Sequence, residues 1–194
     1  SRSLDAHVEE LVLTGTDAIN GTGNELNNAL TGNSANNVLT GGAGNDTYYF
    51  GRGSGQDTIN SYDITAGKVD SVRFNYSDGI TPSDVWVSRT GNDLVLGIIG
   101  TTDTLTIQNY MDNDGVTPYS VERIQFSDGQ SWELARLQVI LTNRAPILST
   151  ALPDQTAPQG GAFSYAFASN AFTDPDAGDT LTYSATLADG SALP

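Results

Sequence analysis

The sequence of 194 residues contains no cysteine, one histidine and only 8 basic residues against 23 acidic ones, for a formal net charge of −15. Without cysteine, no disulfide can staple a small module. One histidine and no cysteine exclude a zinc site built on those two residue types. A Ser–His–Asp catalytic arrangement would depend on His7 alone, so we expect no enzymatic site.

The charge and the shortness of the apolar runs also limit the partners. A chain of −15 without a basic cluster would repel the phosphates of nucleic acids and anionic membranes. No apolar run approaches the ~18 residues that span a bilayer. We therefore expect neither nucleic-acid binding nor membrane insertion.

The acidic residues are mostly aspartate, 18 Asp against 5 Glu. Aspartate favours turns and caps, whereas glutamate is the better helix former. The composition therefore predicts many turns that carry carboxylates. These carboxylates either form a solvated acidic surface or face a hard cation, whose preferred ligands are oxygens.

A nonapeptide repeats along the first third of the chain. Each unit has glycine near its start, Asn or Asp in the sixth place and a large apolar residue in the eighth. The units are GNELNNALT at 23–31, GNSANNVLT at 32–40, GGAGNDTYY at 41–49 and, after a slip of two residues, RGSGQDTIN at 52–60.

A period of nine fits a six-residue turn followed by a three-residue strand, stacked as a solenoid. Two units would make one coil of about eighteen residues, so alternate turns lie above one another. Turns 23–28 and 41–46 would share one edge, and turns 32–37 and 52–57 the other.

Glycine permits the backbone angles that point carbonyl groups inward, and the aspartate in the sixth place adds negative charge. Two stacked turns would make an oxygen cage suited to Ca²⁺. The spacing further predicts Asp63 on the Asp46 edge and Asp70 near the Asp57 edge, unless both face solvent. The predicted calcium-site residues are Gly41, Gly42, Gly44, Asp46, Arg52, Gly53, Gly55, Asp57, Asp63 and Asp70.

The unit GGAGNDTYY resembles the nonapeptide of repeats-in-toxin (RTX) proteins. This resemblance implies a parallel β-roll, calcium-dependent folding and export by a type I secretion system to the cell surface or the extracellular space. Two units depart from the pattern because Asn28 and Asn37 offer no charge. Asn24 and Asn33 are accordingly weaker metal candidates, and these turns would stack through amide hydrogen bonds.

From Ser71 to about Thr142 the repeat gives way to longer alternating segments typical of strands, joined by turn clusters. This stretch resembles the haemolysin-type calcium-binding-related region that follows RTX rolls, which implies an extension capping the open end of the roll. A short helix is predicted from Trp132. Trp86 and Trp132 are interpreted as core or cap residues rather than as ligand platforms.

The last fifty residues resemble the start of a dystroglycan-type cadherin-like domain, an immunoglobulin-like β-sandwich. AFSYAFA and DTLTYSATL alternate as strands do. Such a sandwich needs about seven strands, so we expect that it is completed by further residues or by strands from another copy. The resemblance makes weaker metal candidates of Asp154, Asp174, Asp176 and Asp179.

We therefore predict an all-β chain with a β-roll at 1–70, a β-rich extension and cap at 71–142 and part of a cadherin-like sandwich at 143–194. The predicted role is a structural calcium-binding module within a bacterial surface adhesin, which would meet a protein or carbohydrate receptor. One alternative is the non-catalytic calcium and secretion region of a type I-secreted enzyme. The other is a carbohydrate- or protein-binding module with a groove near Tyr110 or Trp86.

Overall fold

The computed structural model describes residues 1–115, 117–142, 146–153, 166–173 and 181. The chain divides into two compact units, Ser1–Leu141 and Thr142–Pro194. The strands of the first unit are β1 (Arg2–Ser3), β2 (Glu10–Val12), β3 (Gly21–Thr22), β4 (Ala29–Thr31), β5 (Val38–Thr40), β6 (Thr47–Phe50), β7 (Gln56–Asn60), β8 (Ser71–Phe74), β9 (Val85–Thr90), β10 (Asp93–Ile98), β11 (Thr104–Ile107), β12 (Arg123–Gln125) and β13 (Ser131–Trp132).

Helices are few and short among the described residues. Helix α1 covers Leu134–Thr142, close to the start predicted from the sequence. Three 3₁₀ turns lie at Tyr76–Asp78, Pro82–Asp84 and Asp112–Gly115. In the part of the chain that the structure describes, no helix is long and apolar enough to cross a membrane.

Successive strands of the repeat region alternate between two sheets, which confirms the predicted parallel solenoid. The first sheet has the order β1-β3-β5-β7-β11-β10-β9, and the second β13-β12-β8-β6-β4-β2. Ala29 pairs with Thr47, a coil of eighteen residues. Val38 pairs with Thr58, a coil of twenty, because the slip of two residues before the fourth unit lengthens that turn.

The eighth residue of each unit fills the space between the sheets. Leu30, Leu39, Tyr48 and Ile59 are all at most 1% exposed. Burial of such a side chain contributes about 1.5–3 kcal/mol. One large apolar residue per nine is therefore enough to fix which face of each three-residue strand points inward.

The extension adds strands to both sheets of the roll. Strand β8 pairs with β12 in the second sheet, and β11 pairs with β7 in the first, both parallel. The hairpin of β9 and β10 then completes the first sheet with antiparallel pairs.

The apolar core continues into this extension. Phe74 stacks on Phe126, with ring centroids 5.2 Å apart, and Phe126 meets the edge of Trp132 at 4.6 Å. Trp132 is buried, as predicted, and Leu137 of α1 is fully buried. Trp86 differs from the prediction: it is 42% exposed.

The position of Trp86 follows from its cross-strand partner. It pairs with Gly97 on β10, and a Cβ placed on Gly97 would lie 2.0 Å from the indole Cε2. The ring therefore lies against the backbone of a residue that has no side chain.

In the second unit, the described residues contain one antiparallel pair, β14 (Ile147–Leu148) with β15 (Phe172–Thr173). Most of the two strands predicted for this region lies outside the described residues. The same holds for the four weaker metal candidates of this unit, which are Asp154, Asp174, Asp176 and Asp179.

Candidate metal centre

The turns of the roll stack in two columns, as the alternation predicted. Turns 23–28 and 41–46 lead into β4 and β6 of the second sheet and form, with the loop 61–70 before β8, the Asp46 edge. Turns 32–37 and 52–57 lead into β5 and β7 of the first sheet and form the Asp57 edge.

The stacking on the Asp46 edge is so close that it requires glycine. Gly42 and Gly44 have φ values of 108° and 106°, which residues with a Cβ rarely adopt. A Cβ on Gly42 would lie 2.2 Å from the carbonyl oxygen of Asn24, and one on Gly44 would lie 2.8 Å from that of Leu26. Carbonyl oxygens of one turn thus meet the glycine backbone of the next.

The residue in the sixth place joins each turn to its neighbour. The backbone N–H of Asn28 donates to Asp46 Oδ1 at 2.8 Å, and that of Asn37 donates to Asp57 Oδ1 at 2.9 Å. Asp46 and Asp57 are only 1% and 2% exposed. One oxygen of each carboxylate therefore belongs to a buried hydrogen-bond ladder along the column.

The second carboxylate oxygens lack partners. Among the described residues, Asp46 Oδ2, Asp57 Oδ2 and Asp63 Oδ2 are buried and accept no hydrogen bond. A buried charge is costly unless it is paired, hydrogen-bonded or bound to a metal. These three atoms are therefore candidate positions for a bound cation.

The pKa values of Asp46 and Asp57 are both raised, which agrees with the missing partners. Burial raises the pKa of Asp46 to about 7, and the neighbouring carboxylates of Asp70 and Asp63 add to the rise. Burial also raises the pKa of Asp57 to about 7, with a contribution from Asp103. With a pKa near 7 each carboxyl group is only partly ionised at neutral pH, and a bound cation would favour its charged form.

The asparagine turns need no such charge. Asn28 Oδ1 accepts from the Asn24 N–H at 2.8 Å, and Asn28 Nδ2 donates to Asn24 Oδ1 at 3.0 Å. Asn33 and Asn37 make the same two bonds, at 2.8 and 3.0 Å. The amide nitrogen is thus a donor where the aspartate turns have an unpartnered oxygen, so the side chains of Asn28 and Asn37 are satisfied within their own turns.

The loop 61–70 brings two further carboxylates to the Asp46 edge. Asp63 lies there as predicted, close enough to raise the pKa of Asp46. Its Oδ1 accepts from the Thr65 N–H and hydroxyl at 2.8 and 2.7 Å. Burial acts to raise the pKa of Asp63, but these hydrogen bonds outweigh it and hold the pKa below its usual range.

Asp70 lies on the Asp46 edge too, so the prediction that placed it near Asp57 is wrong. The Asp46 N–H donates to Asp70 Oδ1 at 2.8 Å, and Lys68 Nζ lies 2.8 Å from Asp70 Oδ2. Residues 61–70 form one long loop between β7 and β8 rather than another full coil. Both oxygens of Asp70 therefore have protein partners.

In turn 52–57 the glycine amides hold a protein carboxylate. Gly53 and Gly55 donate to Asp103 Oδ2 and Oδ1 at 2.8 and 2.9 Å, and the Arg52 N–H donates to Asp78 Oδ2 at 2.8 Å. The carbonyl groups of Arg52, Gly53 and Gly55 remain predicted ligands.

Sequence reasoning missed Asp103 and the hydroxyl of Tyr48. Asp103 is separated from its turn by the β9–β10 hairpin, and its only sequence signal is its place just before an alternating strand. The Tyr48 hydroxyl accepts from the Gly41 N–H at 3.0 Å. The repeat pattern identifies Tyr48 only as an apolar core residue.

Side chains alone do not complete a metal site. In the ranges that the structure describes, no three or more His, Cys, Asp or Glu side chains come together around a possible ion. A site at Asp46 or Asp57 must therefore draw on backbone carbonyls of the stacked turns. Such oxygens are ordinary ligands of Ca²⁺, which takes 6–8 of them.

Comparison with known proteins identifies three regions. Residues 22–59 match the family described as "RTX calcium-binding nonapeptide repeat (4 copies)". Residues 93–136 match "Haemolysin-type calcium binding protein related domain", and residues 145–194 match "Putative Ig domain". None of these three descriptions names a catalytic domain.

A curated relative aligns with part of the chain. The "Iron-regulated protein FrpA" of Neisseria meningitidis serogroup C is 36% identical over 95 residues, which cover 49% of this chain and 8% of that protein. The chain thus aligns with less than a tenth of this relative. The Ig-like match agrees with the predicted immunoglobulin-like sandwich, and the calcium-binding repeats agree with the unpartnered carboxylate oxygens. The chain therefore contains RTX calcium-binding nonapeptide repeats, followed by a haemolysin-type calcium-binding related region and an Ig-like domain.

Proposed function

We propose that this chain is a structural module of a secreted RTX protein that folds when calcium fills the Asp46 and Asp57 edges outside the cell. The observation that carries this proposal is the set of buried, unpartnered oxygens on Asp46, Asp57 and Asp63. RTX repeat proteins are generally secreted, so the module would meet calcium after export.

On the Asp46 edge, the ligands would be the carboxylates of Asp46 and Asp63 with carbonyl oxygens of turns 23–28 and 41–46. Gly41, Gly42 and Gly44 give the turn its shape. On the Asp57 edge, Asp57 would act with carbonyl oxygens of turns 32–37 and 52–57. A calcium ion would supply two positive charges to carboxylates that burial otherwise keeps from ionising.

Binding and folding would be coupled, because the oxygen cage exists only when two turns are stacked. At low calcium, repulsion within a chain of −15 opposes the compact state. At the millimolar calcium to which extracellular modules are tuned, each ion would order a pair of turns. The chain would then be exported unfolded and fold outside.

We further propose that the parent protein is a surface adhesin. An RTX roll followed by an Ig-like domain supports this more than it supports the secretion region of an enzyme. In this proposal the β-roll covers 1–70, the extension and cap 71–142 and a cadherin-like sandwich begins at 143. Tyr110 lines part of an open cavity of about 670 Å³, but it is itself only 1% exposed and so offers little ring surface to a ligand.

Far-UV circular dichroism during a calcium titration of EDTA-treated protein tests the folding proposal. We expect a cooperative gain of β signal with calcium and none with magnesium, which demands a rigid octahedral shell. A spectrum that is already fully folded in EDTA and unchanged by calcium would contradict the proposal. The roll would then be a metal-free scaffold.

A further inference from the structure

Lys68 is the only lysine in the sequence, and it is buried. Its side chain is 6% exposed, and its Nζ lies 2.8 Å from Asp70 Oδ2 and 3.8 Å from Glu122 Oε2. The same nitrogen donates to the carbonyl oxygen of Ser120 at 2.6 Å. A surface lysine would extend into water, whereas this one lies among two carboxylates and a backbone carbonyl.

These contacts belong to the column on the Asp46 edge. The Asn28 N–H donates to Asp46, the Asp46 N–H to Asp70, and the Asp70 N–H to Glu122 Oε2 at 2.7 Å. The column thus has an Asn28 layer, an Asp46 layer and an Asp70 layer, each named after its sixth-place or equivalent residue. Glu122 closes the column at the start of β12.

Each layer meets its need for a positive or hydrogen-donating group differently. In the Asn28 layer, the side-chain amide donates to Asn24. In the Asp46 layer, the second carboxylate oxygen has no partner among the described residues. In the Asp70 layer, the equivalent oxygen faces the ammonium of Lys68. In the Asp70 layer the chain itself therefore supplies a cation, Lys68, at the position where the Asp46 layer has none.

We infer that the ammonium of Lys68 takes the place of calcium in the Asp70 layer and makes this layer independent of the metal. This inference rests on the proposed calcium-dependent folding of the roll. Oxygen ligands from a carboxylate and a backbone carbonyl, with a second carboxylate behind them, are the chemistry that a calcium site uses. Here they surround a protein cation of single charge.

The consequence is a boundary in calcium dependence at the Asp70 layer. Lys68 joins β8 to the segment before β12, since Ser120 and Glu122 are its partners. The region from Lys68 to α1 therefore has the buried carboxylate of Asp70 compensated without metal. It should stay folded in EDTA while the turns at Asp46 and Asp57 do not.

Labelling of the lysine tests this boundary directly. The chain is treated with an amine-reactive ester in EDTA, in calcium and in urea, and the extent of modification at Lys68 is measured by mass spectrometry. We expect labelling in EDTA to be at least about tenfold slower than in urea, because opening of a folded segment limits access. Labelling in EDTA at the rate of the unfolded chain, with protection restored by calcium, would overturn the inference.

The two tryptophans provide a second readout, because Trp86 and Trp132 both lie beyond the Asp70 layer. Their fluorescence should show a urea transition in EDTA even where the far-UV signal of the roll is lost. Lys68→Ala should lower the midpoint of that transition in EDTA. The matched control, Arg73→Ala, removes a cation of β8 that bonds to Gln125 instead and should change it less.

The effect of added calcium on Lys68→Ala shows whether Lys68 replaces a calcium ion or forms an ordinary ion pair. An open cavity of about 370 Å³, lined in part by Asp63, Lys68 and Glu122, reaches this layer. Added calcium should therefore restore the stability of Lys68→Ala and add one bound ion per chain. Loss of stability that calcium does not restore would overturn the inference.

The two proposals fail in different ways. If the far-UV signal ignores calcium, the calcium-dependent folding of the roll is wrong. The Lys68 inference is then judged by the calcium rescue of Lys68→Ala alone. If the far-UV signal responds to calcium but Lys68 is labelled freely in EDTA, the folding proposal stands and the Lys68 inference is wrong.

Discussion

The Asn28 layer and the Asp46 layer are one coil apart and share a register, with Ala29 paired to Thr47. Asn28 Oδ1 accepts the N–H of Asn24 within its own turn, whereas Asp46 Oδ1 accepts the N–H of Asn28 from the preceding coil. The second atom of the side chain also differs, since it is an amide nitrogen in Asn28 and an unpartnered oxygen in Asp46. The Asn28 side chain is thus satisfied within its turn, and the Asp46 side chain is left with one oxygen for a cation.

The second residue of each turn, Asn24 or Gly42, also distinguishes the two turns. Asn24 supplies the oxygen that accepts the Asn28 amide, whereas Gly42 occupies the same place in the next coil. Gly42 cannot be replaced by Asn without a clash, since a Cβ there would lie 2.2 Å from the Asn24 carbonyl oxygen. The two kinds of turn are therefore set by pairs of positions and not by the sixth residue alone.

The largest expected effect comes from removing both unpartnered carboxylates. The double variant Asp46→Ala/Asp57→Ala should lose the calcium response, because no charged ligand remains in either sixth place. Two sites at a hundredfold excess of calcium over Kd would contribute about 5 kcal/mol. The loss should appear as a urea midpoint that no longer rises when calcium is added to the EDTA-treated variant.

The matched control is the double variant Asn28→Ala/Asn37→Ala. It removes metal-free hydrogen bonds and should lower stability equally with and without calcium, by about 1–3 kcal/mol for each buried group left without a partner. If this control abolished the calcium response as fully as the aspartate variant, the distinction between the two layers would be wrong.

Gly42→Ala should come next in size. The substitution forces a Cβ against a backbone carbonyl at a φ of 108°, which we expect to cost about 4 kcal/mol. Gly53→Ala is the control, because its φ of 81° is also unfavourable but its Cβ would meet nothing within 4 Å. Thermal unfolding in calcium should show the smaller loss for Gly53→Ala, and equal losses would contradict the close stacking of turns 23–28 and 41–46.

Acidification should partly replace calcium. Burial raises the pKa of Asp46 and of Asp57 from 3.8 to about 7, so the folded chain binds more protons than the unfolded chain between about pH 4 and pH 7. Stability in EDTA should therefore rise as the pH falls through 7, by up to about 4 kcal/mol for each aspartate, and level off near pH 4. Urea midpoints in EDTA at several pH values measure this.

In calcium, stability should instead fall as the pH falls, since protons compete with the ion for the carboxylates. Asp46→Ala/Asp57→Ala should flatten both profiles. A stability in EDTA that falls on acidification from pH 7 to pH 5 would show that the two aspartates are not the groups that destabilise the metal-free roll.

The smallest predicted effect concerns Asp103. Asp103→Asn replaces one acceptor oxygen for the glycine amides with a donor and should cost about 2 kcal/mol. Because Asp103 shapes turn 52–57, the variant should weaken calcium binding at Asp57 and leave Asp46 unchanged. Calcium titration in an Asp46→Ala background isolates the affected edge, and an unchanged midpoint there would argue against this role.

The sequence was most informative where the period was strict. A unit of nine with one apolar residue predicts the alternation of sheets, the two columns of turns and the burial of the eighth residue. The sixth place identified Asp46 and Asp57, because a carboxylate in a glycine-rich turn has few other uses. These inferences depend only on local spacing, which the chain preserves from residue 23 to residue 60.

The rest of the site depends on contacts that have no period. Asp70 was misplaced because a loop of ten residues replaces a coil, and its return point follows the pairing of β8 with β6 on one side and with β12, some fifty residues later, on the other. Asp103 reaches its turn because β11 pairs with β7 across 48 positions. No spacing within a repeat shows which distant strand will add to the sheet.

The column from Asn28 through Asp46 and Asp70 to Glu122 also has a mechanical meaning. Its hydrogen bonds run from coil to coil, so a pull on the two ends of the roll would load them in series, and the weakest layer would yield first. With calcium bound, the Asp46 layer would be reinforced by charge. Without calcium, it would be the layer that breaks. The concentration of an ion outside the cell would then decide where along its length the roll gives way under tension.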